Sequence, residues 1–245
     1  MKIKHLLCFI ALCLFFTPGK AQQLSVMTLR NGATVYIWED KSKPDVFGMI
    51  AFKVGSVDDP EQYTGLAHYL EHVMFKGTQT IDALDWEKEK PIYEKIIAKY
   101  DERAALSDPA AREAVDKEIN DLTREAAQYA AGNEFSLLVD HMGGQGLNAS
   151  TGYDQTEYHN SFPPSQLEKW LEIYSERLID PVFRGFQTEL EAVYEEYNMY
   201  NDDRGSRMRE FIYEQAFGDH PYARPIIGLP EHLKNPQLSK LIDFY

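Results

Sequence analysis

Residues 65–75 read GLAHYLEHVMF. The apolar side chains of this stretch recur with a helical period and the pattern ends near Lys76-Gly77, so it predicts a short helix. His68 and His72 are four positions apart, which places both imidazoles on one helix face, roughly 6 Å apart along the axis. Two nitrogens in that arrangement can bind one zinc ion, and Glu71 beside them can accept a proton from activated water.

The alternative for this motif is a pair of surface histidines beside an acid on an amphipathic helix. A catalytic zinc needs a third protein ligand and one open position. The candidates are carboxylates within residues 189–196, ELEAVYEE. Glu189 and Glu196 share a helix face but are separated by about 10.5 Å of rise, so one should bind the metal and the other orient a histidine or the base. Helix geometry does not choose among Glu189, Glu195 and Glu196, and all three could simply be solvated.

Residues 1–21 have the pattern of a secretory signal, with a positive start, a short apolar run and small residues before Gln22. The run is too short to span a bilayer, so we expect a periplasmic or secreted protein with no stable membrane anchor. A lipoprotein would carry its cysteine after the apolar run, whereas Cys13 lies inside it. Cys8 and Cys13 are the two cysteines of the chain, so the mature part has neither disulfides nor a thiolate metal site.

The composition is that of an acidic globular protein. Hydrophobic residues make up 44% of the chain, enough for a packed core, and the formal net charge is −14. Such a charge disfavours binding to nucleic acid or to an anionic membrane surface. It could favour basic peptides, although a solvated acidic surface is the better explanation.

Other patterns give the remaining elements in outline. Alternation on both sides of Asn31-Gly32 predicts a β-hairpin. Helical periodicity around a break at Ser107-Asp108-Pro109 predicts a helical hairpin over residues 84–131, whose charges we expect to be solvated. The further predicted segments are a well-buried strand at 46–54, paired strands at 147–150 and 156–161, and helices at 165–179, 186–200 and 207–217. Helices and strands mixed without regular βαβ alternation predict the α+β class.

Four stretches of the chain resemble the pitrilysin family of inverzincin peptidases, whose mark is the inverted motif H-x-x-E-H. They are residues 55–78 (GSVDDPEQYTGLAHYLEHVMFKGT), 144–163 (GQGLNASTGYDQTEYHNSFP), 189–197 (ELEAVYEEY) and 220–228 (HPYARPIIG). The resemblance implies a zinc-dependent endopeptidase that cleaves peptides or unfolded segments. It also implies one Zn²⁺ per chain, with Glu71 as the general base.

The resemblance chooses among the acidic residues. It implies that Glu196 is the third metal ligand, that Glu189 supports the ligands, and that Glu195 faces outward. It also puts Asn148 and Ala149 on an edge strand that pairs with the substrate backbone. The alternative for Asn148 is a residue that holds a turn.

The resemblance further implies that residues 22–245 are the N-terminal domain of a two-half clamshell peptidase. One half-unit has a largely antiparallel sheet with helices packed on one face. The spacing between His72 and Glu196 is longer than is usual in the family, and residues 84–131 would be a helical insertion that accounts for the excess. Extra loop length costs only about 0.6 kcal/mol per doubling, so the surface can accommodate it.

The family continues beyond the point that corresponds to Tyr245, into further strands and a second half. We therefore expect those strands and that half to be absent from this chain, and the isolated chain to be an incomplete enzyme. A second homologous half or a partner subunit is the expected partner. The rival hypothesis is a non-catalytic peptide-binding or scaffold subunit of a two-part peptidase, which the intact His68, Glu71, His72 and Glu196 disfavour.

Overall fold

The computed structural model describes residues 24–245. The predicted signal peptide at residues 1–21 lies outside the described residues. The described residues form two compact units, one up to Pro44 and one from Asp45 onward. No helix between residues 24 and 245 is both long and apolar enough to cross a bilayer.

The first unit contains an antiparallel hairpin of β1 (Leu24–Thr28) and β2 (Thr34–Trp38). In its turn, Gly32 has a φ of +87°, a conformation that glycine adopts without a steric penalty. The side chain of Asn31 accepts a hydrogen bond from the amide of Ala33 at 3.1 Å. The hairpin predicted around Asn31-Gly32 is confirmed.

The second unit is built on an antiparallel sheet with the strand order β3-β5-β4. These strands are β3 (Val46–Phe52), β4 (Gln145–Thr151) and β5 (Thr156–Phe162). The central strand β5 alternates buried and half-buried residues, as expected when one face of a strand lies on the core. The pairing predicted for residues 147–150 and 156–161 is confirmed, and β4 lies at an edge of this sheet.

Helices make up most of the second unit and alternate irregularly with its strands. In chain order they are α1 (Leu66–Val73), α2 (Trp86–Ala105), α3 (Pro109–Ala126), α4 (Glu134–His141), α5 (Leu167–Ile179), α6 (Phe186–Asp202), α7 (Arg204–Phe217), α8 (Pro230–Leu233) and α9 (Leu238–Phe244). This is the predicted α+β class. The predicted helices at 165–179, 186–200 and 207–217 correspond to α5, α6 and α7.

The strand predicted at 46–54 exists, but the prediction that it is well buried is wrong. β3 is an edge strand, and Phe47 and Met49 are 59% and 44% exposed on its outer face. Only its inner face meets the core, where a Cβ added to Gly48 would lie 2.6 Å from the ring of Trp170. A continuous apolar run does not distinguish a strand buried on both faces from one buried on a single face.

The core joins β5 to α5 through a buried polar contact and stacked rings. The side-chain oxygen of Asn160 accepts hydrogen bonds from the Trp170 indole at 2.8 Å and from the Tyr174 hydroxyl at 2.7 Å. Trp170 also stacks on Phe162, with ring centroids 5.2 Å apart. Because both donors to Asn160 are buried and satisfied, this contact fixes α5 on the sheet.

The predicted helical hairpin is formed by α2 and α3. Asp85 and Asp108 accept backbone hydrogen bonds at the starts of these helices, and Pro109 occupies the first turn of α3. The break predicted at Ser107-Asp108-Pro109 is therefore confirmed. The expectation that all charges of the hairpin are solvated is wrong at Glu89, which is 1% exposed and paired with Arg184.

Candidate metal centre

Helix α1 presents His68, Glu71 and His72 because its opposite face is buried. Leu66, Ala67, Tyr69 and Val73 fill the core side of the helix. The carboxylate of Asp59 accepts hydrogen bonds from the amides of Gly65 at 2.7 Å and Ala67 at 2.9 Å, so it caps the start of the helix. Burial raises the pKa of Asp59 to about 6, although these two hydrogen bonds act in the opposite direction.

Helix α6 presents the acidic residues to α1. It buries Phe186, Leu190 and Val193 in the core. The hydroxyl of Tyr69 on α1 donates to the carbonyl of Phe186 and so ties the two helices together. Glu189 and Glu196 lie on the side of α6 that faces α1, whereas Glu195 is exposed and lines a separate groove with Arg103 and Asp116.

The predicted ligands converge. Glu196 Oε2 lies 3.5 Å from His68 Nε2 and 3.6 Å from His72 Nε2. Hydrogen bonds of this type are about 2.7–3.2 Å long, so these separations are too long for good direct bonds. Donor atoms around a tetrahedral zinc with bonds of about 2.0–2.1 Å lie about 3.3 Å apart, close to the observed separations. Two imidazoles and a carboxylate also suit zinc chemically, so the residues present fit this metal.

Within residues 24–245, these three side chains are the one group of potential metal ligands whose donor atoms all lie within 4.8 Å of one another. The two histidines differ in protonation. Burial, helped by the nearby His72, lowers the pKa of His68 to about 4, so His68 is neutral at pH 7. Burial also acts to lower the pKa of His72, but Glu189, Glu196 and Glu71 outweigh it and raise that pKa above 6.5. A metal that binds His72 must therefore displace a proton near neutral pH.

Glu189 lies near Nδ1 of His72, whereas Glu196 lies near Nε2 of the same ring. Glu189 Oε2 is 3.4 Å from His72 Nδ1, and Glu189 Oε1 is 2.6 Å from Lys76 Nζ. Burial acts to raise the pKa of Glu189, but the nearby His72 and Lys76 lower it overall. An ionised carboxylate at Nδ1 keeps the proton on that nitrogen and turns Nε2 toward Glu196. For His68, by contrast, Nδ1 is buried and has no hydrogen-bond partner among the described residues.

Glu71 is held by a residue that sequence reasoning missed. Thr151, the last residue of β4, donates its hydroxyl hydrogen to Glu71 Oε2 at 2.6 Å. Burial raises the pKa of Glu71, although the bond from Thr151 and the charge of His72 act to lower it. Thr151 lies within one of the stretches that carry the family resemblance, which was the available signal. Sequence reasoning also missed the contact of Lys76 with Glu189, although Lys76 lies within another of these stretches.

A cavity of about 720 Å³ brings the remaining predicted residues to the same place. The three predicted ligands and Glu71 line it, as do Asn148, Ala149, Ser150 and Thr151 of β4. Asn148 is paired with His159 of β5, so it is a strand residue and does not hold a turn. Because β4 is an edge strand, one side of its backbone is directed away from the sheet.

A family model described as "Insulinase (Peptidase family M16)" matches residues 34–90 and 119–229. The matched residues amount to more than half of the chain. The internal segment that the match omits, residues 91–118, lies in the helical hairpin of α2 and α3.

Curated relatives match most of this chain but extend well beyond it. An uncharacterized zinc protease of Mycobacterium leprae is 25% identical over 194 residues, which cover 78% of this chain and 32% of that protein. The zinc protease PqqE of Helicobacter pylori is 25% identical over 223 residues, covering 89% and 39%. An insulin-degrading enzyme homolog of Dictyostelium discoideum is 22% identical over 232 residues, covering 94% and 19%. The chain thus spans well under half the length of each of these relatives.

Two solved structures share the fold. A protease from Helicobacter pylori superposes with a TM-score of 0.66 at 22% identity, over 91% of this chain and 42% of that one. Pitrilysin superposes with a TM-score of 0.63 at 22% identity, over 93% of this chain and 20% of that one. The arrangement of strands and helices described above therefore corresponds to one portion of each larger protein.

Proposed function

Because the chain belongs to the insulinase family, peptidase family M16, we propose that it is the zinc-binding part of an endopeptidase that cleaves peptides or unfolded protein segments. The observation that carries the proposal is the convergence of His68 Nε2, His72 Nε2 and Glu196 Oε2 at separations suited to one zinc ion. One Zn²⁺ per chain follows from one such group. The relatives named zinc proteases support the choice of metal.

Glu71 is the general base in this proposal. A bound zinc ion would polarise the scissile carbonyl and activate water. Glu71 takes a proton from the attacking water and passes it to the leaving amine. Two features support this role: burial raises its pKa toward the range in which a carboxylate can both accept and release a proton, and Thr151 fixes one of its oxygens.

Glu189 orients His72 and is not itself a ligand in this proposal. Its contact with Nδ1 of His72 leaves Nε2 for the metal, and its other oxygen pairs with Lys76. Carboxylates that support a metal-bound histidine in this way typically change metal affinity by about 10–100-fold. Glu195, on the exposed side of α6, takes no part.

We propose that the peptide substrate pairs with the free edge of β4, beside Asn148 and Ala149. An edge strand offers unpaired N–H and C=O groups to an extended peptide. Both residues line the cavity that contains the proposed ligands, so a peptide paired there would run past the metal. Recognition through the main chain requires little sequence preference in the substrate.

The whole enzyme is proposed to include a second homologous half or a partner subunit that closes over this cavity. Support comes from the relatives, of whose lengths this chain spans 19–39%. Residues 22–245 would form the N-terminal zinc-peptidase domain, and residues 84–131 its helical insertion, which agrees with the omission of 91–118 from the family match. Residues 1–21 would direct export to the periplasm or out of the cell.

The test uses the protein in its full natural length. Zinc is measured by atomic absorption, and hydrolysis of a quenched fluorescent peptide is measured before and after removal of zinc with a chelator. We expect one zinc per chain, loss of hydrolysis on chelation, and recovery when zinc is restored. Bound zinc without cleavage of several unstructured peptides would contradict the enzyme proposal and favour the non-catalytic peptide-binding subunit. Residues 22–245 alone should bind zinc yet cleave feebly, because in this proposal the second half supplies a donor to the developing oxyanion, and the loss of one such donor costs about 10²–10³ in rate.

A further inference from the structure

Three segments meet where α1 ends and where α2 and α6 begin. Arg184 lies just before α6, and its Nη1 donates to the carbonyls of Lys76 at 3.2 Å and Thr78 at 2.8 Å, in the loop that leaves α1. Its Nε and Nη2 donate to the two carboxylate oxygens of Glu89 at 2.6 and 2.8 Å. Glu89 lies in the first turn of α2. One guanidinium therefore connects all three segments.

This ion pair is buried. The side chains of Arg184 and Glu89 are 10% and 2% exposed. A bidentate arginine–carboxylate pair has a narrowly defined geometry, and burial protects it from screening by salt. Lysine cannot replace the arginine here, because an ammonium group lacks the planar fork that reaches both the carboxylate and the carbonyls. The pair thus fixes directions as well as distances.

The rest of α2 adds contacts to the start of α6 and to the residues just before it. The hydroxyl of Tyr93 accepts a hydrogen bond from the amide of Phe183 at 3.3 Å. The ring of Tyr100 packs against Phe186 with centroids 4.7 Å apart, and its hydroxyl donates to Gln187 at 3.1 Å. These contacts fall within residues 183–187, immediately before Glu189. Tyr93 and Tyr100 lie in the segment that the family model does not match.

The contacts of Arg184 with Glu89 and with the carbonyls of Lys76 and Thr78, here called the junction, lie close in sequence to the predicted metal ligands. Lys76 follows His72 by four residues, and Arg184 precedes Glu189 by five. Beyond the junction, the amide of Val182 donates to the carbonyl of Gly77 at 3.1 Å, which adds a backbone link between the same two segments. A shift of α6 relative to α1 would move Glu196 away from both histidines, and the junction opposes that shift.

We infer that Glu89 and Arg184 are positioning residues, and that α2 is a brace that fixes α6 against α1 and thereby sets the zinc affinity of the centre. The inference rests on the metal centre of the proposed function. The inference assigns a role to the helical hairpin, because an insertion that did not contact α6 would not affect the metal centre. Arg103, near the other end of α2, pairs with Asp116 of α3 and donates to the carbonyl of Lys234, but has no hydrogen bond or ion pair with residues 76–89 or 182–189, so it provides a matched control.

The experiment measures zinc affinity in the full-length protein by competition with a chromophoric chelator, at a temperature where circular dichroism shows every variant folded. Arg184→Lys should weaken zinc binding about tenfold or more, in the range of other supporting residues at metal sites. Glu89→Gln should weaken it in the same direction, and it keeps the test decisive if Arg184→Lys does not fold. Arg103→Lys should leave the affinity within about twofold of the wild type.

A second readout needs no metal. Hydrogen exchange of the metal-free protein should be faster in Arg184→Lys at the amides of Val182 and Glu189, and unchanged there in Arg103→Lys. If the wild-type protein bound no zinc, the proposed metal centre would be overturned, and so would the effect of Arg184 and Glu89 on zinc affinity. The hydrogen-exchange comparison would still decide whether α2 braces α6. Wild-type affinity together with wild-type exchange in Arg184→Lys, with only a lower melting temperature, would overturn the inference.

Discussion

The two sides of α6 carry the same kind of residue in different surroundings. Glu189 and Glu196 face α1, where their side chains are 15% and 34% exposed and lie close to histidine nitrogens. Glu191 and Glu195 face outward and line a groove of about 460 Å³ on the other side of the helix. The difference teaches that a carboxylate gains a possible chemical role from the element it faces. The helical sequence alone left three similar candidates, Glu189, Glu195 and Glu196.

The side that faces α1 depends on partners distant in sequence. Glu196 meets two imidazoles presented one helical turn apart on α1, and Glu189 meets one of them together with Lys76. The outward side has no histidine among its neighbours in the groove. Substitutions that remove the charge of a single carboxylate of α6 are therefore expected to lower zinc affinity to different extents.

Glu196→Gln should produce the largest change. The variant loses an anionic ligand, so zinc affinity should fall by more than about 100-fold, beyond the range expected for a supporting residue. Titration with a competing chelator measures the affinity, and circular dichroism checks that the fold is kept. An affinity within tenfold of the wild type would show that another group completes the site.

Glu189→Gln should weaken zinc binding by about 10–100-fold, because His72 loses the carboxylate that holds its proton on Nδ1. Lys76 also loses its partner in this variant, so Lys76→Met serves as the control. If Lys76→Met alone reproduced the full loss, orientation of His72 by Glu189 would not be its cause.

Zinc affinity should fall as the pH is lowered, by about tenfold per unit once His72 becomes protonated. The raised pKa of His72 places the start of this fall above pH 6.5. His68, whose pKa is about 4, should not contribute between pH 5 and 8. In Glu189→Gln the pKa of His72 should decrease, so the fall should begin at a lower pH. An unchanged pH profile in that variant would contradict the assigned contact.

Glu195→Gln should have the smallest effect, with zinc affinity within about twofold of the wild type, since exposed charges contribute little. Glu191→Gln is its matched partner on the same side of α6 and should behave alike. Should Glu195→Gln prove more harmful than Glu196→Gln, the side of α6 that binds the metal has been assigned wrongly.

What could be predicted from the sequence was mostly local. The spacing of His68 and His72 fixes their shared face within a single helix, and Asn31-Gly32 fixes a turn, so both features followed from short-range geometry. Glu196 was different, because helix geometry left three acidic candidates and only the family resemblance separated them. Its position beside the histidines agrees with that choice, although its role as a ligand stays a prediction.

The features that the sequence did not predict depend on tertiary contacts or on very short elements. Thr151 and Lys76 acquire their contacts only when β4 and α6 pack around α1. Glu89 looked like any solvated helix charge until Arg184 was brought beside it. The helices α4, α8 and α9 have only 8, 4 and 7 residues, too few to establish a periodic pattern.

The most direct test of the account compares Glu71→Gln with Glu196→Gln in the full-length protein, by zinc content and hydrolysis of a quenched fluorescent peptide. We expect Glu71→Gln to retain one zinc per chain and to lose about 10²–10⁴ in rate, because it removes the base and no ligand. Glu196→Gln should lose both zinc and hydrolysis. A Glu71→Gln protein that loses its zinc, or a Glu196→Gln protein that keeps zinc at wild-type affinity, would contradict the central assignment.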